Sequence, residues 1–254
     1  MITPIPYNAG AVLCESPSLA AVGKWFADFA RRYGAEILSA TYQHLFLVGL
    51  SLAIALLVAL PMGILLTRLV RTKLRFLSSI FMGAAGIVQT IPSLAMIAFG
   101  VTLLLLLKGV LPFDISAIGT FPAVVALVLY ALLPILRNTY TGIRQVDQSV
   151  IEVARGMGMK NMQILGSIEL PLALPFIMAG IRISTVWTIG VAALGGLIGA
   201  GGLGDLIMNG LKNYDIMYLL AGSIPASLMA ILAEWLLGRV ENWLTPPGVQ
   251  ETAT

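Results

Sequence analysis

The chain has 254 residues, a formal net charge of +3, 58% hydrophobic residues and only 11% charged ones. A soluble domain carries about 25% charged residues. With a mean hydropathy of +0.94, the composition excludes an ordinary soluble enzyme and defines an integral membrane protein. The single cysteine, Cys14, excludes a disulfide framework within the chain. It has no basic stretch ahead of it and no small residue just before it, which argues against a lipoprotein anchor.

Residues 1–17 are Pro-rich and irregular. From residue 18 to about residue 38 the spacing predicts a helix, with Leu19, Val22, Phe26, Phe29 and Tyr33 on one stripe. Lys24, Asp28, Arg31 and Arg32 lie off that stripe. The expectation is an amphipathic helix lying along the bilayer surface, too polar to span. The alternative is a core helix of a soluble extension. A spanning helix needs about 20 mostly apolar residues. Five segments qualify, near 45–66, 80–107, 121–136, 172–197 and 216–237. The third is short, and 139–143 are available to extend it; the second and fourth are long enough to tilt or break. The expected architecture is an all-α, polytopic membrane protein. It divides into an N-terminal segment 1–40, a transmembrane domain 41–240 and a short tail 241–254.

Basic residues orient the spans. If the spans alternate, Arg68, Arg71, Lys73, Arg75, Arg137, Arg144, Arg155, Lys160 and Arg239 share one side. Lys24, Arg31, Arg32, Lys108 and Lys212 share the other, and Arg182 lies within a span. The richer side is the cytosolic one, so the N-terminus is expected outside and the C-terminus inside. Basic residues confined to loop edges describe topology, and no nucleic-acid partner is expected.

Within the second segment, Pro92 removes a backbone donor and crowds the preceding turn. Lipid tolerates freed carbonyls only where protein or a water path covers them. Gln89, Thr90 and Ser93 are therefore candidate pathway residues, against the alternative of a static kink held by neighbours. Pro134 and Pro225 make the same argument more weakly. Tyr130, Tyr140 and Trp187 are the aromatics best placed to meet a cation, although a lone Trp in a membrane helix more often packs. Tyr130 and Trp187 join the candidate pathway.

Residues 152–171, EVARGMGMKNMQILGSIELP, form a polar island within the loop 141–171. It reads as two short helices, the first ending near Met157. Gly158 takes the positive φ that stops it, and a second helix runs from about Lys160 to Ile168. Pro171 marks re-entry into an apolar run. A helix–turn–helix knob on the wet side of a membrane protein is a docking surface, because nothing inside the bilayer needs it. An interfacial hairpin with no partner is the plain alternative.

Further on, Arg182 is an ionisable residue inside an apolar span, a functional candidate by default. It is read first as a snorkelling or structurally paired charge, with Glu234 as a possible partner, and only second as a substrate contact. Residues 199–204 fit G-x-G-x-x-G. No strand precedes them and they fall on the outer side, so the dinucleotide reading is rejected. A sharp break is expected instead, with Asp205 capping the short helix that follows. Gly195-x-x-x-Gly199 is a weak signal of close helix approach. No Walker-A motif occurs, so this chain is not itself an ATPase. No metal site and no cofactor is expected.

The island resembles the EAA signature of the membrane subunits of bacterial ABC importers. Glu152, Ala154, Gly158, Ile168, Leu170 and Pro171 match at the family's spacing, and Val153 replaces the usual Ala. Residues 88–95, 129–143, 169–182 and 198–207 resemble the osmoprotectant branch of these MetI-like permeases. The resemblance covers about 40–240. It implies that residues 152–171 are an ATPase-coupling loop and that ATP binds a partner chain. The implied partners are a cytosolic ATPase dimer, a second permease subunit, identical or related, and a separate extracytoplasmic binding protein, all at a bacterial inner membrane. The implied solute is glycine betaine, carnitine, choline or a similar quaternary ammonium compound. An ABC permease for an amino acid or other small solute is the nearest alternative. A stand-alone secondary transporter is the next, and it would need ion-coupling carboxylates within the spans.

Overall fold

The computed structural model describes residues 19–70, 75–107, 116 and 118–245. Cys14, Arg71, Lys73, Lys108 and the tail beyond 245 lie outside the described residues. Described elements are helical: α1 (Leu19–Val70), α2 (Arg75–Thr90), α3 (Ser93–Leu107), α4 (Thr120–Gln145) and α5 (Gln148–Gly156) come first. They are followed by α6 (Asn161–Ile164), α7 (Leu170–Ala192), α8 (Leu203–Asn213) and α9 (Ile216–Leu244).

The first departure from the sequence reading is α1. No glycine pair or proline interrupts residues 38–45, so the amphipathic stretch and the first span form one helix of 52 residues. At 1.5 Å per residue it is about 78 Å long, far beyond a hydrocarbon core of about 30 Å. Of the predicted stripe, Phe29 and Tyr33 pack against other helices, and the side chains of Leu19, Val22 and Phe26 lie outside the described residues. Phe29 stacks on Tyr33 at 5.2 Å, and Tyr33 meets Tyr218 of α9 edge-on at 5.3 Å. Phe29, Tyr33 and Ile37 pack on a cluster of Ala40, Leu203, Leu206 and Ala221. The stretch of α1 from Phe29 to Ala40 thus packs against α8 and the start of α9. Hydroxyls in the helix bond to its own backbone, as with Thr41 to the Ile37 carbonyl and Ser51 to the Leu47 carbonyl, which satisfies them where water is scarce.

The second apolar segment breaks where Pro92 predicts. The chain bends by 108° between α2 and α3, at Ile91 and Pro92. Packing decides whether this bent pair crosses the bilayer or turns back. Leu47 of α1 lies level with Ala123 of α4, and Ala55 and Ala59 lie level with Ala131 and Ile135. A Cβ added at Gly63 would stand 2.9 Å from Thr139 Cβ. Helices α1 and α4 therefore run parallel, and the chain between them must return across the full thickness. Met82 packs at the Ala131–Leu136 level, whereas Met96 and Ile97 pack on Ala126. The bent pair lies along that return, and the described helices give four candidate crossings, or five where the pair is counted as one.

α7 runs antiparallel to α4. Gly142 faces the Ala173 carbonyl, Gly180 faces Ile135, and the Ser184 hydroxyl donates to the Ala131 carbonyl at 2.7 Å. α9 returns antiparallel to α7, with Met229 and Ala230 beside Ile189 and Ala192. The third crossing extends to Gln145, taking in 139–143, and the fifth continues to Leu244 through residue 240. The bundle thus has a hairpin end, where α1, α4 and α9 finish and α7 begins, and a glycine-turn end at residues 193–204.

At that second end a 3-10 turn (Ala193–Ile198) leads into three glycines in the positive-φ region, Gly199, Gly201 and Gly202. Asp205 does not cap α8. Gly202 holds the cap position, and its N–H donates at 3.0 Å to Gln43 Oε1 of α1. Asp205 lies in the first turn, where burial pushes its carboxyl above the ordinary range against the opposing pull of the Gly201 N–H and Lys212. The close approach is made not by Gly195 and Gly199 but by Gly196 and Gly204, whose backbones abut each other and Ala193.

Candidate functional site

The hairpin is built by local chemistry at each turn. Asp147 caps α5 by accepting from the Ser149 N–H at 2.9 Å, a bond that holds this exposed carboxyl below its ordinary range. At the far end Gly158 has φ +82. Its N–H donates to the Arg155 carbonyl, and the Met159 N–H donates to the Ala154 carbonyl. This is a Schellman stop with glycine at the left-handed position. The next helix opens with the Lys160 N–H donating to Gln163 Oε1 at 2.8 Å.

The second helix does not stop at Ile168. From Asn161 the chain stays helical through a π turn (Leu165–Glu169) directly into α7. Pro171 cannot donate to the carbonyl one turn back, and the widened turn falls there. The hairpin and the fourth crossing are therefore one mechanical piece.

Its two faces differ in kind. Ile151, Ala154 and Ile164 are buried with Val146, and Met159, Ile168 and Leu172 pack against them. Outward, Val153 is 63% exposed, Met157 70% and Met162 79%, beside exposed Glu152 and Arg155. Of the EAA positions, Ala154 anchors the knob, Glu152 and Val153 face out, and Gly158 shapes the turn. Ile168, Leu170 and Pro171 are half-buried at its root.

That root carries a pair the sequence reading missed. Glu169 is fully buried. Both its oxygens accept from the Arg68 guanidinium at the end of α1, Oε1 from Nη1 at 3.1 Å and Oε2 from Nη2. A fork-on-fork pair of this kind is strong and directional. An acid at the threshold of an apolar run, on a chain whose other spans end in arginines, was the available signal.

Of the candidate pathway residues, Ser93, Tyr130 and Trp187 come together. They line a hollow of about 420 Å³ with Val186, Gly190 and Leu194, and the two rings are 6.3 Å apart. Gln89 is half-buried, and Thr90 is exposed with its hydroxyl bonded to the Ile87 carbonyl; neither lines this hollow. A second, larger groove of about 1000 Å³ shares Val186 and Trp187 and runs between α7 and α9 toward the hairpin end. Arg182 sits in its wall. Its Nε donates to Glu234 Oε1 at 3.0 Å, with Nη2 on the same oxygen, and its Nη1 donates to Glu241 Oε2 at 2.6 Å. Sequence reasoning named Glu234 but missed Glu241, two helical turns further along α9 on the same face.

Four to five long apolar helices and a polar hairpin anchored on them by one face are the architecture of a membrane transport subunit. The chain belongs to the family of binding-protein-dependent transport system inner membrane components, whose model matches residues 59–246. It is thus a multi-pass inner-membrane permease. It is 43% identical over 88% of its length, and 94% of the relative's, to a carnitine transport permease protein, OpuCB, of Listeria monocytogenes. It is 40% identical over 87% of its length, and 94% of the relative's, to the glycine betaine/carnitine/choline transport system permease protein OpuCB of Bacillus subtilis (strain 168). Its fold matches a solved MetNI methionine ABC transporter chain with a TM-score of 0.72. That match is 23% identical and covers 83% of this chain and 96% of the other.

Proposed function

We propose that this chain is the permease subunit of an ATP-driven importer for small quaternary ammonium osmoprotectants of the glycine betaine, carnitine and choline kind. The observation that carries the solute class is the pair of near-full-length relatives at 40–43% identity that are named for these solutes. In this reading the end rich in arginine and lysine faces the cytosol, and the N-terminus lies outside. The outward face of 152–171, with Val153, Met157 and Met162, seats in a cytosolic ATPase dimer. Exposed methionines make an adaptable apolar contact, and a patch with no internal role marks an interaction site. A second permease subunit completes the pathway, and a separate extracytoplasmic binding protein delivers the solute. ATP is bound and hydrolysed on the partner chain.

The mechanism follows from continuity. Because the hairpin passes into α7 without a break, displacement of the knob by closing ATPases is delivered along the helix that carries Arg182 and Trp187. The test is reconstitution in proteoliposomes with the ATPase and binding protein that co-purify with this chain. The expected result is ATP-dependent uptake of at least one of glycine betaine, carnitine or choline. Uptake of an amino acid with no uptake of these three would transfer the chain to the amino-acid class. Uptake without any ATPase would remove the importer reading.

A further inference from the structure

The groove between α7 and α9 carries four charged side chains, two carboxylates and two guanidinium groups. Ionisable groups within or near spans favour a protein interior or a water-filled path over acyl chains. Its charges are largely spoken for. Arg182 is held by Glu234 and Glu241, and the Arg239 guanidinium lies 4.6 Å from the centre of the Trp235 ring. What remains open is specific. Both bonds from Arg182 to Glu234 land on Oε1, which leaves Oε2 of a side chain 43% exposed toward the groove. One and a half turns along α7 from Arg182, Trp187 is 49% exposed and lines both the groove and the adjoining hollow.

The geometry points to a solute site on this chain, in which the quaternary ammonium group rests on the face of Trp187 and is drawn on toward the open oxygen of Glu234. An ammonium whose charge is spread over methyl groups cannot donate a strong hydrogen bond. It is recognised by an aromatic face and a carboxylate, and Trp187 and Glu234, which line the same groove, supply one of each. Tyr130 across the hollow extends the aromatic wall, and Arg182 acts as a positioning residue that fixes the Glu234 rotamer. The Arg239–Trp235 pair shows an indole of the same groove already holding a cation. The site gives the permease its own preference for quaternary ammonium solutes, in series with that of the binding protein. This inference rests on the solute class proposed above.

The test uses the complete transporter in proteoliposomes and the quaternary ammonium solute that the wild type takes up. Trp187→Leu keeps the apolar bulk but removes the π face, and uptake is expected to fall roughly tenfold. Trp187→Phe retains a face and recovers at least about a third of the wild-type rate. Glu234→Gln keeps an acceptor for Arg182 while removing the charge, and it lowers uptake by about the same factor as Trp187→Leu. Co-purification with the ATPase confirms assembly in each case. If the wild type takes up no quaternary ammonium solute, the solute class falls. If the wild type does so and Trp187→Leu and Glu234→Gln both stay within about twofold of it, or if Trp187→Phe falls as far as Trp187→Leu, the site assignment alone is overturned.

Discussion

Two glycine-containing polar stretches stand at opposite ends of this bundle, and they use glycine in different ways. In the hairpin, a Cβ at Gly158 would meet nothing within 4 Å, and only its φ of +82 calls for glycine. At the other end, a Cβ at Gly196 would stand 2.9 Å from the Asp205 nitrogen, and one at Gly204 would overlap the Ala193 carbonyl. Gly158 is thus a glycine of conformation, as is Gly199 at the other end, where a Cβ would also meet nothing within 4 Å, whereas Gly196 and Gly204 are glycines of close packing. A position of the first kind tolerates bulk but resists the backbone change, and a position of the second kind resists bulk itself.

Substitutions can break or sharpen that contrast. The largest effect is expected from Gly204→Ala, where overpacking against backbone costs about 3 kcal/mol; the yield and melting temperature of the detergent-solubilised protein should both drop. Arg68→Ala comes next. It leaves Glu169 buried without its guanidinium, and because Arg68 is itself 31% exposed the loss is about 2 kcal/mol, below that of a fully buried pair. A thermal melt reads it, and an unchanged melt would mean that the hairpin root is not pinned by this pair.

The contrast reverses for Met162→Lys. At a side chain 79% exposed the melting temperature should hold, while association with the ATPase weakens by about 1–2 kcal/mol, or roughly tenfold. Microscale titration of the two subunits measures it, and undiminished affinity would move the docking surface elsewhere. Gly158→Ala is milder, about 1 kcal/mol of left-handed strain, and should lower ATP-driven uptake more than it lowers folded yield.

The smallest effect concerns Asp205. Burial raises its carboxyl above the ordinary 3.8, so the folded chain binds that proton more tightly than the unfolded one. Its charged form then costs stability at neutral pH, and this cost is relieved as pH falls through the raised value. Asp205→Asn should therefore raise the melting temperature slightly at pH 7, with the gain fading as the solution is acidified toward 4.

Local chemistry was legible in the sequence, and long-range pairing was not. The Gly158 stop, the break at Pro92 and the extension of the third crossing through residue 143 follow from φ preferences, a missing N–H and hydropathy, all encoded within a few residues. Ser93, Tyr130 and Trp187 were singled out by residue type and by the break at Pro92, but that these three share a hollow and Gln89 and Thr90 do not was not legible. The continuity of α1 was missed because a change from amphipathic to uniformly apolar pattern looks like a boundary, although no residue there stops a helix. The Arg68–Glu169 pair and the Gln43–Gly202 bond join residues 101 and 159 positions apart. They depend on helix register, which a single sequence does not report. Asp205 resembled a cap because capping acceptors are normally local, whereas here Gln43 supplies one from another helix.

The parallel alignment of α1 and α4 has a consequence for how the protein is made. Because the two helices point the same way, the chain must reverse direction between them as it is inserted, and among the described residues the bent pair α2–α3 lies on that return path. Altering how readily this proline-broken segment integrates is expected to alter the orientation of α4 and of the helices made after it.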